Sequence, residues 1–298
     1  MRAKIRRPTF VIALAVCLLV TASPGAATPP ARAAADDEMS AEQIIAKHLE
    51  AVGAAAARSS IKNMVVLGSC AVTFQSGTSQ GGTDGQIVIG SDENKTLIGM
   101  KFASPSYPQE TFAYDGKRLT IGYVSPGKRS PLGGFLLTQE SLFREGLVGG
   151  VLTTAWPLAT LEARGAKLKA AGTEKVGGRK AYKLKYAPKK GSDMELTLFF
   201  DAETFQHVRT EYERVVPAGL GTRGVESSSS QRSSRIKIVE GFSDFKREEK
   251  LTLPHTYTLD LYIDTGSVTT STKWTAKLTQ FMFNQSLDPN TFNVEPSK

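Results

Sequence analysis

The chain has 298 residues, a formal charge of +8 and two cysteines. Five basic groups (Arg2, Lys4, Arg6, Arg7, Arg32) lie in residues 1–35, which hold no acid, so residues 36–298 carry 32 basic against 29 acidic groups. That excess of three is too mild to argue for nucleic acid, and Cys70, the one cysteine left, has no partner for an intramolecular disulfide.

The first residues read as a leader. Arg2, Lys4, Arg6 and Arg7 precede the apolar run FVIALAVCLLV, and small residues follow, with cleavage points after Ala27, Ala33 or Ala35. This pattern predicts a secretory signal over 1–35 and a single domain over 36–298. Cys17 lies inside the apolar run, with Val16 before it, so a lipid-anchored form is not expected.

Ser40 opens a predicted helix. Gln43 suits a capping box, and Ile44, Ile45, Leu49 and Val52 recur at helical spacing up to Gly53. From Ile61 the period changes to two: NMVVLGSCAVTFQ puts Met64, Val66, Cys70, Val72 and Phe74 on one face. GQIVIG and KTLIGMKF continue as strands. ETFAYDGKRLTIGYV reads as a hairpin with a type I′ turn at Asp115-Gly116. An apolar, glycine-broken segment follows from about Thr138 through FREGLVGGVLTTAWPLATL (Phe143 to Leu161). Two further hairpins turn at Gly177-Gly178 and around Asp201 to Thr204. A polar loop, Pro217 to Ser234, reads as mobile. SRIKIVEGFSDF, LPHTYTLDLYID and TSTKWTAKLTQFMF complete about eleven strands, all antiparallel because the connections are too short for crossovers.

The strands of the second half are two-sided. Tyr182, Leu184, Tyr186, Met194, Leu196, Leu198, Tyr257, Leu259 and Leu261 share one face. Lys183, Lys185, Glu195, Arg209, Glu211, Glu213, Asp260, Lys273 and Lys277 share the other, which is expected to be solvated. Eleven strands spaced by about 4.8 Å would make a sheet roughly 50 Å across, wider than two or three helices of about 10 Å can cover. A twisted sheet of this width should curl. The expected fold is therefore mainly β (α+β): a curved antiparallel half-barrel with lid helices on its concave face. Glycines 146, 149 and 150 would each weaken the lid helix by about 1 kcal/mol relative to alanine, leaving an element able to shift.

This arrangement resembles the periplasmic lipoprotein-carrier superfamily, the proteins like LolA and LolB. The likeness lies in the opening helix AEQIIAKHLEAVG, the hairpins, the apolar central segment, FSDFKREEKLTLPHTYTL and the closing NQSLDPNTFNV. It implies a non-catalytic periplasmic carrier or binding protein that holds acyl chains of lipids or lipoproteins in a concave hydrophobic cavity, with at most transient membrane contact. The residues expected to line cavity and lid are Met64, Val66, Val72, Phe74, Met100, Phe102, Leu142, Phe143, Leu147, Trp156, Tyr182, Leu184, Tyr186, Leu196, Leu198, Tyr257 and Leu259. The alternative is an envelope sensor or adaptor that binds a protein partner through the same fold, with the 217–234 loop as the contact.

Other motifs lack their context. GLGTRG, Gly219 to Gly224, is a literal G-x-G-x-x-G followed by VESSSSQRSS, which is no helix, so nucleotide binding is not expected. No G-x-S-x-G elbow is present, and Ser59-x-x-Lys62 stands alone at a helix-to-strand junction. His48, His207 and His255 lie on separate elements without metal-ligand spacing, so neither a metal nor a cofactor is expected. His207 alternates with Arg209 and Glu211, which predicts a solvated position. Cys70 alternates with Val66 and Val72, which predicts a small buried residue rather than a reactive thiol.

Overall fold

Twelve strands make up a single antiparallel sheet in the computed structural model, which describes residues 39–190, 192–216 and 233–294. The first five are β1 (Asn63–Ser76), β2 (Ser79–Asp92), β3 (Lys95–Phe102), β4 (Gln109–Tyr114) and β5 (Leu119–Ile121). The other seven are β6 (Lys167–Val176), β7 (Arg179–Ala187), β8 (Glu195–Asp201), β9 (His207–Val216), β10 (Ser234–Glu248), β11 (Leu251–Asp264) and β12 (Thr269–Phe283). Their order is β5-β4-β3-β2-β1-β12-β11-β10-β9-β8-β7-β6, so the sheet is open, with β5 and β6 as its edges. The expected half-barrel is the fold found, with twelve strands where the sequence suggested about eleven. The expected leader, the stretch GLGTRG and most of the polar loop fall outside the described residues.

This order explains why an apolar segment interrupts a chain of hairpins. β5 and β6 are consecutive in sequence but lie at opposite edges of the sheet. Residues 122–166 must connect them, and they do so as the buried cover of one face. The segment starts earlier than expected, with α3 (Pro131–Leu137) followed by α4 (Glu140–Arg144), 3-10 turns at Gly150–Leu152 and Pro157–Ala159, and α5 (Leu161–Arg164). Ser130 caps α3 by accepting from Gly133 N–H, and Pro131 fills the first position, where no backbone donor is needed.

The central glycines do not interrupt a long helix; they make its turns. Gly146 has φ 71°, and a Cβ there would lie 2.0 Å from the Ala155 carbonyl oxygen. Gly150 (φ 51°) lets the lid touch the sheet, because a Cβ would meet Phe242 at 2.8 Å and His207 Nδ1 at 3.0 Å. Leu132, Leu142, Phe143, Leu147 and Leu152 are each at most 1% exposed. At about 1.5–3 kcal/mol per buried side chain, these five contribute on the order of 10 kcal/mol to holding the lid.

Two helices open the domain, α1 (Ala41–Val52) and α2 (Ala55–Ser60). The capping box forms as expected: Gln43 N–H donates to Ser40 Oγ at 3.3 Å, and Ser40 N–H donates to Gln43 Oε1 at 2.8 Å. Ile44, Ile45 and His48 form its buried face.

Two turns sort themselves by side chain. Gly177 and Gly178 both have positive φ, 57° and 85°, which suits the two-residue turn expected there. The Asp115-Gly116 turn is not type I′ but a four-residue loop, because Asp115 Oδ1 accepts from the N–H groups of Lys117 and Arg118, both at 2.8 Å.

Candidate functional site

The structure gathers all seventeen expected cavity residues into one apolar cluster. Met64, Val66, Val72, Met100, Phe102, Leu142, Phe143, Leu147, Trp156, Leu184, Tyr186, Leu196, Leu198, Tyr257 and Leu259 are buried in it, and Phe74 and Tyr182 pack against it half-buried. The lid reaches the sheet directly: Phe143 meets Phe112 of β4 edge-on, with ring centroids 5.7 Å apart. Between lid and sheet there is almost no space. The gap bounded by Phe112, Leu142, Tyr212, Ile238 and Leu259 has a volume near 10 Å³, at the lower limit for one water molecule.

Open volume lies beside the lid instead. A groove of about 770 Å³ runs between α1 and the lid's last turns, walled by Ile45, Ala46, Leu49, Leu158, Leu161 and Leu168. A smaller pocket of about 130 Å³ lies against Trp156, with Val52, Ile61, Met64, Val151 and Leu251. Leu49 and Ala159 line both, so the groove and the Trp156 pocket are neighbours that share a wall. Of the expected cavity residues only Met64 and Trp156 line either of them. Sequence spacing misses the part played by α1: it marks Ile45 and Leu49 as a packing stripe, and only the structure shows that they also line the groove.

Two polar assemblies fix the lid. Glu240 of β10 is fully buried among apolar side chains. Its Oε1 accepts from Gly149 N–H at 2.8 Å and from the Tyr257 hydroxyl at 2.7 Å, and its Oε2 accepts from the Tyr212 hydroxyl at 2.5 Å. Burial pushes the Glu240 carboxyl above the usual range, against the three donors that favour its charge. Its place was legible: Ile236, Ile238, Glu240 and Phe242 share one parity in SRIKIVEGFSDF, so the acid sits on the apolar face. Glu110 breaks parity in the same way beside Phe112 and Tyr114, and is buried with the Tyr107 hydroxyl donating at 2.5 Å.

The second assembly is a pair of buried histidines around Trp156. His48 Nδ1 lies 3.0 Å from the Phe205 carbonyl oxygen, which assigns its proton there, and Nε2 accepts from Trp156 Nε1–H at 3.2 Å. The His207 ring stacks on Trp156 at 4.6 Å, its Nε2 lies 2.8 Å from Thr210 Oγ1, and its Nδ1 has no hydrogen-bond partner among the described residues. Burial lowers the His48 pKa to about 4, with the charge of Arg58 acting the same way. Burial also holds His207 well below its ordinary value, as does the proximity of His48.

His207 corrects an expectation. Strict alternation with Arg209 would place it in solvent, yet it is wholly buried. The cause is a register shift between Phe199 and Phe200: Arg209 stands opposite Phe199 and His207 opposite Phe200, so His207 turns to the lid side. Asp260, expected on the solvated face, is only 7% exposed, and Lys273 Nζ lies 3.2 Å from its carboxylate. Cys70 is buried as expected, and burial raises its thiol to about 12, far from a reactive thiolate.

The acceptors of Glu240 are turned to groups of the fold, and the gap that it lines has a volume near 10 Å³. Among the described residues no cluster of three His, Cys, Asp or Glu is placed to hold a metal ion. No helix among them is long and apolar enough to cross a membrane.

No family model matches the chain, and no curated relative matches it in sequence. Solved structures do resemble it. A LolA superfamily protein from Nitrosomonas europaea aligns over 86% of this chain and 98% of its own, with 11% identity and a TM-score of 0.45. A DUF1329 family protein from Desulfovibrio piger aligns over 84% of this chain and 95% of its own, with 10% identity and a TM-score of 0.37. The lipoprotein LppX of Mycobacterium tuberculosis covers 83% of this chain with 96% of its own, at 10% identity and a TM-score of 0.25. These are likenesses of fold, and they assign no cargo.

Proposed function

We propose that the protein is a non-catalytic carrier or binding protein for acyl chains, working in the periplasm to which the leader-like residues 1–35 point. The observation that carries this reading is the open groove along α1, with the Trp156 pocket next to it across Leu49 and Ala159. Its volume is in the range of small-molecule sites, and its walls are mainly aliphatic, with Glu42, Thr160, Glu162 and Lys167 among them. In this reading the first methylene groups lie between α1 and residues 158–168. A longer chain then advances by displacing Trp156 and the turns behind it. The seventeen expected cavity residues become the lining of that deeper, lid-displaced space.

Titration with a fluorescent C16 fatty acid tests this. Ala46 is exposed on α1 and faces the groove, so Ala46→Trp fills the site without touching the core. The expected result is saturable binding that weakens at least tenfold in Ala46→Trp. Affinity unchanged by that substitution, or no saturable binding in the unsubstituted protein, would remove the proposal.

A further inference from the structure

The charge of the chain is concentrated on one hairpin. Lys167 to Lys190, covering β6, β7 and the turn beyond, holds nine basic residues and one acid, Glu174. That local +8 exceeds the net +3 of residues 36–298, so the rest of that stretch is negative by five. Elsewhere in the sheet, cations are matched by neighbouring acids: Lys237 with Glu211 at 2.9 Å, Arg235 with Glu213 at 3.0 Å, Arg214 with Asp193 at 2.8 Å. On the hairpin, Arg179 pairs with Asp201 and Glu203, Lys183 with Glu174 and Lys185 with Glu195. Lys167, Lys169, Lys175, Lys180, Lys189 and Lys190 are exposed and have no ion-pair partner among the described residues.

Lysines on an edge strand also keep other strands from pairing with it, and β6 is an edge. That role accounts for Lys167, Lys169 and Lys175. It does not account for Lys180 on β7, nor for Lys189 and Lys190 beyond its end. Their position matters more: Lys167 lines the apolar groove, and the Lys189 side chain lies against Gly165, with Cδ 3.0 Å from where a Cβ would be. The unpaired cations at this end of the hairpin therefore flank the mouth of the groove. The acids at that mouth, Glu42 and Glu162, are fewer.

We propose that the β6–β7 hairpin and the Lys189-Lys190 turn form a docking surface for an anionic lipid bilayer. A phosphate-bearing surface meets the unpaired lysines, and the groove beside them then opens towards the acyl region. Only this last link rests on the acyl-chain reading; the docking stands without it. Each lysine near such a surface strengthens binding about fivefold at moderate salt, and the attraction fades once the screening length falls to a few ångströms.

Co-sedimentation with vesicles tests the docking. The purified protein is mixed with vesicles of phosphatidylcholine alone, or with 30% phosphatidylglycerol, in low and high salt. The expected result is binding to the anionic vesicles only, lost at high salt. Lys169→Glu/Lys189→Glu/Lys190→Glu should lose at least a hundredfold in affinity while keeping its circular dichroism and its fatty-acid affinity in solution. Equal binding to both vesicle types, undiminished binding by the triple variant, or no vesicle binding despite salt-sensitive retention on an acidic polymer would each overturn it. Vesicle docking without any fatty-acid uptake would support the surface and overturn the acyl-chain reading.

Discussion

Beneath residues 142–152 the lid and the sheet meet side chain to side chain, and the residual gap is about 10 Å³. Beside α1, a wall of Ile, Leu and Ala interspersed with Glu42, Thr160, Glu162 and Lys167 leaves about 770 Å³ open. Besides this difference in lining, polar anchoring separates the two regions. The interior seam is fixed by Glu240 on Gly149 N–H and by His48 on Trp156, whereas among the described residues no side-chain hydrogen bond joins α1 to residues 158–168 across the groove. One apolar surface is therefore packed core, and the other borders open volume.

The comparison breaks most visibly at Phe143. Truncation to alanine removes a buried ring from the seam and should cost about 3–5 kcal/mol in urea denaturation. Ala46→Trp, on the groove, should change that stability by no more than about 0.5 kcal/mol. If Phe143→Ala costs little, the seam is not the packed core described here.

A second, smaller effect is pH-dependent. His48 is neutral in the fold, with its pKa lowered to about 4 from 6.5. The unfolded chain takes up a proton below pH 6.5 that the fold refuses until about pH 4, so this residue's contribution to stability is lost as pH falls across that window. Protonated Nε2 also cannot accept from Trp156. Glu240 and Glu110 act in the opposite sense, since their raised pKa values favour the fold at low pH. His48→Gln keeps an acceptor for Trp156 but does not titrate. Relative to it, the unsubstituted protein should lose about 3 kcal/mol between pH 6.5 and 4, read as a pH-dependent difference in denaturation midpoint. Parallel pH profiles would mean that His48 does not titrate against the fold.

The sheet was largely legible in the sequence, because strands with one charged and one apolar face announce themselves by alternation, and too little helix remained to cover a flat sheet. The lid's path was not, since it follows from β5 and β6 lying at opposite edges, which only the strand order reveals. Glu240 and Glu110 were readable as acids on apolar parity. His207 was not, because a bulge in its own strand, with Val208 as the extra residue, reverses its direction. The groove was hidden for a different reason. Ile45 and Leu49 mark a helix face that packs, and sequence periodicity cannot say that open volume borders it.

The central claim is that ligand enters along α1 rather than through the sealed seam. A fatty acid carrying a diazirine midway along its chain, photolysed at low occupancy and mapped by peptide mass spectrometry, tests it directly. The account predicts labels on residues 41–49 and 158–168. Labels confined to β3, β4 and residues 132–148, with none on α1, would contradict it.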